Sequence, residues 1–154
     1  MRGVYDRLVA LFLLERVSPH PVDQVWLQLT AWERHGDVVP LTRVTVVTPP
    51  PNGEGTVFVA RSGVGLFAFD DPMRVVVWQP PKGRGPGLCR LVKLGSFVRG
   101  WAEIEVRPED GGGSRVVWRE ELRVRWVPGF CDRPLEWAAR RMFGRAAERL
   151  LRLP

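Results

Sequence analysis

The sequence predicts an α+β fold, in which an antiparallel sheet of about seven strands curves around a long C-terminal helix and two short helices follow the first strand. Three observations support this prediction. Residues 131–153 carry apolar side chains at helical spacing. The segments from Arg43 onward are strand-like and are separated by turns rich in proline and glycine. Short turns between consecutive strands favour antiparallel pairing, with the helices gathered on one side of the sheet.

The C-terminal segment has two distinct faces. Asp132 and Pro134 suit the first turn of a helix. The apolar face comprises Leu135, Ala139, Met142, Phe143, Ala146, Leu150 and Leu153. The opposite face comprises Glu136, Arg140, Arg141, Arg145, Glu148, Arg149 and Arg152. We therefore predict one long amphipathic helix, with its apolar face against the sheet.

The remaining elements follow from local patterns. Strands are predicted at 8–17, 43–48, 56–61, 73–79, 88–98, 100–107 and 115–126. Short helices are predicted after Pro21 and at 32–39. The first strand is apolar enough to suggest burial on both faces. We also expect 66–69 to continue the third strand, 70–72 to form a turn, and Gly95 to make the fifth strand irregular.

Composition is that of an ordinary globular protein. We expect the 154 residues, 1–154, to form a single domain. Hydrophobic residues make up 45% of the chain and charged residues 26%. No apolar run approaches the ~18 residues of a membrane span, and 8–14 lacks the cleavage site of a signal peptide.

Charge and cysteine content bear on partners and compartment. The net charge is +6, but the basic residues are scattered, so the sequence does not favour a nucleic-acid partner. Cys89 and Cys131 form no disulfide framework and have no metal-ligand spacing. We therefore expect a cytoplasmic protein with no metal and no cofactor. A monomer and a homodimer both remain open.

Several short motifs, taken in order, resemble the START-related, Bet v 1-like helix-grip superfamily (SRPBCC), and within it the polyketide cyclase/dehydrase-like branch. They are Pro21-Val22-Asp23-Gln24-Val25-Trp26 with Trp32 after it, the run 55–63, Asp71-Pro72-Met73-Arg74-Val75, Trp78-Gln79-Pro80-Pro81 and the run 113–118. The resemblance covers roughly residues 6–153. It implies a helix-grip fold that holds a small apolar molecule, such as a lipid, polyketide or isoprenoid, between sheet and helix. It implies no shared catalytic motif.

The strand 115–126 has a readable register. Even positions are apolar except for Glu120, whereas odd positions carry most of the charge, so Glu120 is predicted to face inward. A carboxylate in an apolar row needs a partner, a raised pKa or a wet cavity. Glu120 is therefore a candidate polar anchor or general acid/base for an apolar ligand. The alternatives are a purely structural ion pair with an arginine and a position near the frayed end of the sheet.

Aromatic and other large side chains supply the remaining candidates for the pocket wall. The predicted ligand-binding residues are Phe67, Phe69, Trp78, Trp118, Glu120, Met142 and Phe143. Trp101 and Trp126 belong to the same aromatic set. His35 lies in the inter-helix region and is a weaker candidate, because the resemblance implies that this region helps frame the mouth of the cavity. The patterns around Arg61, Arg90 and Lys93 do not decide whether these cations face inward.

Three functions remain open. The first is binding or transport of a small hydrophobic molecule in a cavity between sheet and helix. The second is a polyketide cyclase or dehydratase type of enzyme with Glu120 as acid/base. The third is a module that contacts a membrane surface or a protein partner through the basic face of the last helix.

Overall fold

The computed structural model of the chain describes residues 8–125 and 132–152. The strands are β1 (Leu8–Ser18), β2 (Thr42–Val46), β3 (Val57–Ser62), β4 (Phe69–Gln79), β5 (Gly87–Leu94), β6 (Val98–Pro108) and β7 (Ser114–Val124). The helices are α1 (Val22–Thr30), α2 (Trp32–Val38) and α3 (Asp132–Arg152), and a short 3₁₀ turn spans Gly65–Phe67.

All strands belong to one curved antiparallel sheet. Its order is β1-β7-β6-β5-β4-β3-β2, so β1 and β2 form the two edges. Each strand after β2 pairs with its predecessor in the chain, and β1 instead pairs with β7 along its full length. The described part of the chain thus has the predicted α+β helix-grip architecture, with the predicted order of strands and helices.

The helices cover the concave face of the sheet and bury the core against it. Pro21 and Asp23 begin α1, and both suit a first helical turn. The buried helical residues include Val25, Trp26, Leu29 and Trp32 from α1 and α2, and Ala146, Ala147, Leu150 and Leu151 from α3. The second half of α3 supplies the last four of these buried residues, and Met142 and Ala146, near the middle of the helix, border a cavity.

One strand differs from its prediction. Phe12 in β1 is buried, but Leu11, Leu13 and Val17 are exposed on the outer face. The prediction of burial on both faces was wrong because, among the described residues, the helices cover only the concave side of the sheet. An apolar strand here has one covered face.

The region between β3 and β4 also differs. Residues 65–67 form a 3₁₀ turn instead of strand, and 70–72, predicted to be a turn, lie within β4. Pro72 is tolerated because β4 pairs with β5 only from Met73 onward, so at Pro72 it has a neighbour on one side only. The predicted strand 88–98 is shorter than expected: β5 ends at Leu94, just before the Gly95 at which an irregularity was predicted, and Val98 already begins β6.

Within residues 8–125 and 132–152, no helix combines the length and apolar content required to cross a membrane.

Candidate functional site

A cavity of about 410 Å³ lies between the concave face of the sheet and the helices α2 and α3. Its wall is mostly apolar. The apolar and aromatic lining includes Trp32, Val39, Val44, Phe58, Phe69, Met73, Leu91, Phe97, Val98, Trp118, Leu122, Val124 and Met142. The charged residues that line it are Asp71, Lys93 and Glu120, and His35 adds an imidazole ring.

The three charged side chains form one cluster. The Lys93 ammonium lies 2.6 Å from Asp71 Oδ2 and 3.5 Å from Glu120 Oε1. The indole N–H of Trp118 donates a hydrogen bond of 3.1 Å to Glu120 Oε2. The side chains of Lys93 and Glu120 are only 5% and 3% exposed. The cluster is therefore a buried charged site in the wall of a mostly apolar chamber.

Small residues on β6 make this cluster geometrically possible. Lys93 on β5 and Glu120 on β7 belong to strands separated by β6, which places their backbones roughly 10 Å apart. The β6 residue paired with Lys93 is Gly100, and the residue paired with Glu120 is Ala102. Because neither has a long side chain, the lysine stem can cross β6 to reach the carboxylate.

Burial and mutual attraction set the protonation of the cluster. Burial raises the pKa of Glu120, and the nearby Asp71 carboxylate raises it further, against the opposing effects of Lys93 and Trp118. Burial alone would lower the pKa of Lys93, but the attraction of Glu120 and Asp71 outweighs it and raises this pKa. Lys93 therefore remains protonated, and Glu120 holds its proton to higher pH than an exposed glutamate does.

His35 contributes a neutral ring to the same wall. Its Nε2 lies 2.8 Å from the carbonyl oxygen of Leu29. Because a carbonyl can only accept, this nitrogen carries the hydrogen and donates it. Burial lowers the pKa of His35, so the ring stays neutral and Nδ1 is left as an acceptor.

Two buried polar atoms of the cavity-lining residues have no hydrogen-bond partner among the described residues. They are Asp71 Oδ1, an acceptor, and Trp32 Nε1, a donor. Buried polar atoms of native proteins nearly always have a partner, supplied by protein, water or ligand. Among the described residues, no group of three or more histidine, cysteine, aspartate and glutamate side chains is arranged to hold a metal ion.

The structure brings four of the predicted site residues together. Phe69, Trp118, Glu120 and Met142 all line the cavity. The inward register predicted for β7 is confirmed, since Leu122 and Val124 line the cavity with Trp118 and Glu120. Trp126 and the side chain of Phe143 lie outside the described residues.

Two other predicted residues lie away from the cavity. Phe67 belongs to the 3₁₀ turn and is 91% exposed. Trp78 follows a register shift in β4 and packs edge-to-face on Trp26 of α1, with ring centroids 5.1 Å apart. Trp78 therefore contacts the region of the core covered by α1 instead of the cavity.

The structure decides which of the three undecided cations faces the cavity. Lys93 faces the cavity, whereas Arg61 and Arg90 form exposed ion pairs with Asp70 and Glu103. Asp71 was not recognised as a site residue because the Asp-Asp-Pro sequence resembles a turn. A useful signal was Lys93 itself. It follows the buried Leu91 by two residues, so both side chains lie on the same face of the strand.

No protein-family model and no curated protein matches this chain. Solved structures share its fold. A START superfamily protein from Mycobacterium smegmatis has a TM-score of 0.70 at 9% identity, covering 94% of this chain and 99% of that chain. A Thalictrum norcoclaurine synthase has 0.62 at 15% identity, with coverages of 95% and 96%, and Ara h 8.0201 has 0.59 at 13%, with coverages of 93% and 98%. The chain therefore has the START-related, Bet v 1-like fold that its sequence resembles.

Proposed function

We propose that residues 1–154 form one domain that binds a small, mostly apolar molecule in the cavity between the sheet and α3. The observation that carries this proposal is the chamber of about 410 Å³, which is mostly apolar and contains one buried charged cluster. Pockets of this size and polarity are typical of small-molecule sites, where a few polar groups fix the orientation of an apolar ligand. Phe69, Trp118, Glu120 and Met142 are the predicted residues that would contact it.

A plug in the cavity tests this function. Ala60 lines the chamber from β3, so Ala60→Trp should fill part of it, whereas Ala138→Trp places the same side chain on an exposed position of α3. We expect Nile red, a neutral apolar dye, to bind wild type and Ala138→Trp with similar affinity and Ala60→Trp at least about tenfold more weakly. Circular dichroism checks that each variant is folded. Absence of dye binding to wild type, or equal binding to folded Ala60→Trp, contradicts the proposal.

Acid–base chemistry on the bound molecule is a second candidate, because Glu120 combines a raised pKa with a position on the cavity wall. The named norcoclaurine synthase structure holds a transition-state analogue, so the fold accommodates an enzyme in that protein. For this chain, a cyclase or dehydratase acting on a polyketide-like molecule would use Glu120 to donate or accept a proton. Glu120→Gln should then abolish turnover of an accepted poly-β-ketone while dye affinity persists. Unchanged turnover would remove Glu120 from this role.

Membrane-surface contact is favoured by a separate observation. Leu66 is 100% exposed and Phe67 is 91% exposed, and the arginines of α3 are exposed as well. Contiguous exposed apolar residues mark interaction sites, and arginines attract anionic headgroups. We expect vesicles rich in phosphatidylglycerol to bind the protein more weakly after Phe67→Asp and at high salt. The control is Leu27→Asp, which makes the same kind of change at an exposed position of α1. Salt-insensitive binding, or none, would remove this contact.

A further inference from the structure

We infer that the molecule held in this cavity presents a hydrogen-bond donor, an alcohol or an amine, to Asp71 Oδ1, and that the cavity selects against carboxylates. This inference rests on the proposed binding function. It concerns the class of ligand rather than the existence of a site. The argument depends on which polar atoms of the cluster already have partners.

Lys93 has no donor to spare. An ammonium group carries three N–H bonds. In the cluster, Lys93 Nζ contacts Asp71 Oδ2 at 2.6 Å, Glu120 Oε1 at 3.5 Å and the Met73 sulfur at 3.5 Å. Two of these contacts are hydrogen bonds and the third is an ion pair, so protein atoms already surround the ammonium group. A ligand carboxylate could not pair with Lys93 without displacing one of them.

The carboxylates leave one acceptor vacant. Glu120 Oε2 accepts the Trp118 N–H, and Glu120 Oε1 faces Lys93. Asp71 Oδ2 accepts from Lys93, whereas Asp71 Oδ1 is buried without a hydrogen-bond partner among the described residues. The vacancy at the cluster is thus an acceptor, and only a donor can fill it.

The charges of the cluster also disfavour a carboxylate ligand. Lys93 is the one lysine or arginine among the described residues that line the cavity, and it already lies between two carboxyl groups. An incoming carboxylate would add a third acidic group to a buried site, which is strongly unfavourable. A hydroxyl adds no charge, and a protonated amine adds a favourable one.

The second unpartnered atom does not offer carboxylates an alternative. Trp32 Nε1 is a donor, but the Trp32 ring stacks on Phe58 at 4.6 Å and lies 5.6 Å from the His35 ring. These neighbours are uncharged, since burial keeps His35 neutral. A carboxylate there would have no cation to balance it, whereas a neutral oxygen on a donor-bearing ligand could accept from Trp32.

Matched ten-carbon ligands test the inference on the full chain. 1-Decanol, decylamine and decanoate would compete with Nile red at neutral pH, where decanoate is ionised. We expect the alcohol and the amine to displace the dye from wild type at concentrations at least about tenfold lower than decanoate. Decanoate displacing the dye as well as decanol does would overturn the inference while leaving the binding function intact. Failure of the dye itself to bind would instead contradict the proposed function.

A neighbouring pair of aspartates supplies the variant and its control. Asp71→Asn replaces the vacant acceptor site with an amide that can also donate, so the preference for decanol over decanoate should shrink to within about threefold. Asp70→Asn makes the same change one residue away, where the side chain is exposed and pairs with Arg61. It should keep the wild-type preference. An unchanged preference in folded Asp71→Asn would overturn the inference, and the wild-type ligand series tests it independently of any variant.

Discussion

At the scale of single residues, the cavity wall holds charged and titratable side chains that water would normally solvate. Lys93 is buried between Asp71 and Glu120, and removal of one partner from such a group leaves charge without compensation. His35 is kept neutral by burial. The consequences for stability can be measured for each residue.

We expect Lys93→Met to lower the free energy of unfolding by about 3–5 kcal/mol, because it leaves two carboxyl groups in an apolar wall with no cation. Urea denaturation at neutral pH measures this change. The only other lysine, Lys82, lies exposed in the loop after β4, and Lys82→Met should change stability by no more than about 0.5 kcal/mol. Similar effects of the two substitutions would contradict the assigned role of the cluster.

The pH dependence of stability should carry a contribution from His35. Because burial lowers its pKa in the folded state, the unfolded chain takes up a proton below about pH 6.5 while the folded chain does not. Stability is therefore lost as the pH falls from 6.5 toward the lowered folded pKa. His35→Gln cannot be protonated but can still donate to Leu29, so acidification should destabilise it less than wild type. Parallel curves of stability against pH would exclude this contribution.

Glu120 shows how far residue-level prediction could go. Its inward orientation followed from the clean alternation of β7, which depends on neighbours two positions apart in the chain. An arginine partner was one alternative, and the partner is instead Lys93, two strands away in the sheet. That contact depends on Gly100 and Ala102 being small and on the register of two strand pairs, and neither can be read from β7 alone.

At the scale of elements, β1 shows what coverage of only one face of a sheet does to an apolar strand. Its buried face contacts the core through Phe12, and its outer face exposes Leu13. Sequence pattern alone assigned both faces to the interior because the strand lacks polar alternation. The side of the sheet on which the helices pack decides burial here, and that packing is a property of the whole chain.

We expect Phe12→Ala to cost about 3–5 kcal/mol, since it removes a large buried side chain. Leu13→Ala on the next residue should cost no more than about 0.5 kcal/mol, because that side chain is mostly exposed. Thermal or chemical denaturation of the two variants makes the comparison within one strand. Comparable losses would mean that something covers the outer face of β1.

The region between β3 and β4 is a second case in which the surrounding sheet overrides a local sequence signal. Gly63 and Gly65 have positive φ values of 109° and 55°, and they bracket the change from strand to 3₁₀ turn. The sequence signalled a break at these glycines, but not that β4 would begin before Pro72. Proline usually ends a strand, and the exception required knowing that β4 has no β5 neighbour at that position.

At the scale of the whole molecule, the fold was predictable because every level of pattern agreed. The order of strands and helices, the short turns and the amphipathic end all indicated one architecture. The cavity was predictable only as an expectation of that architecture. Its volume depends on where side chains from α2, α3 and six strands fail to meet, and no local pattern reports such a gap.

Ligand binding should stabilise the molecule as a whole. If 1-decanol binds only the folded state, a concentration one hundred times its dissociation constant should add about 2.7 kcal/mol to the free energy of unfolding. The melting temperature of wild type should therefore rise with decanol concentration, and that of Ala60→Trp should rise much less. A melting temperature that falls equally in both would indicate that decanol acts only as a cosolvent.

The pairing of β1 with β7 has a consequence for synthesis on the ribosome. The first strand leaves the ribosome long before residues 114–124 are synthesised. Until then, its backbone hydrogen-bonding groups and its apolar side chains have no neighbouring β7 strand. Closing that distant pair is entropically costly and slow, and unpaired strands are prone to associate with other chains. The nascent protein should thus depend on chaperones that bind its first strand until β7 has been translated.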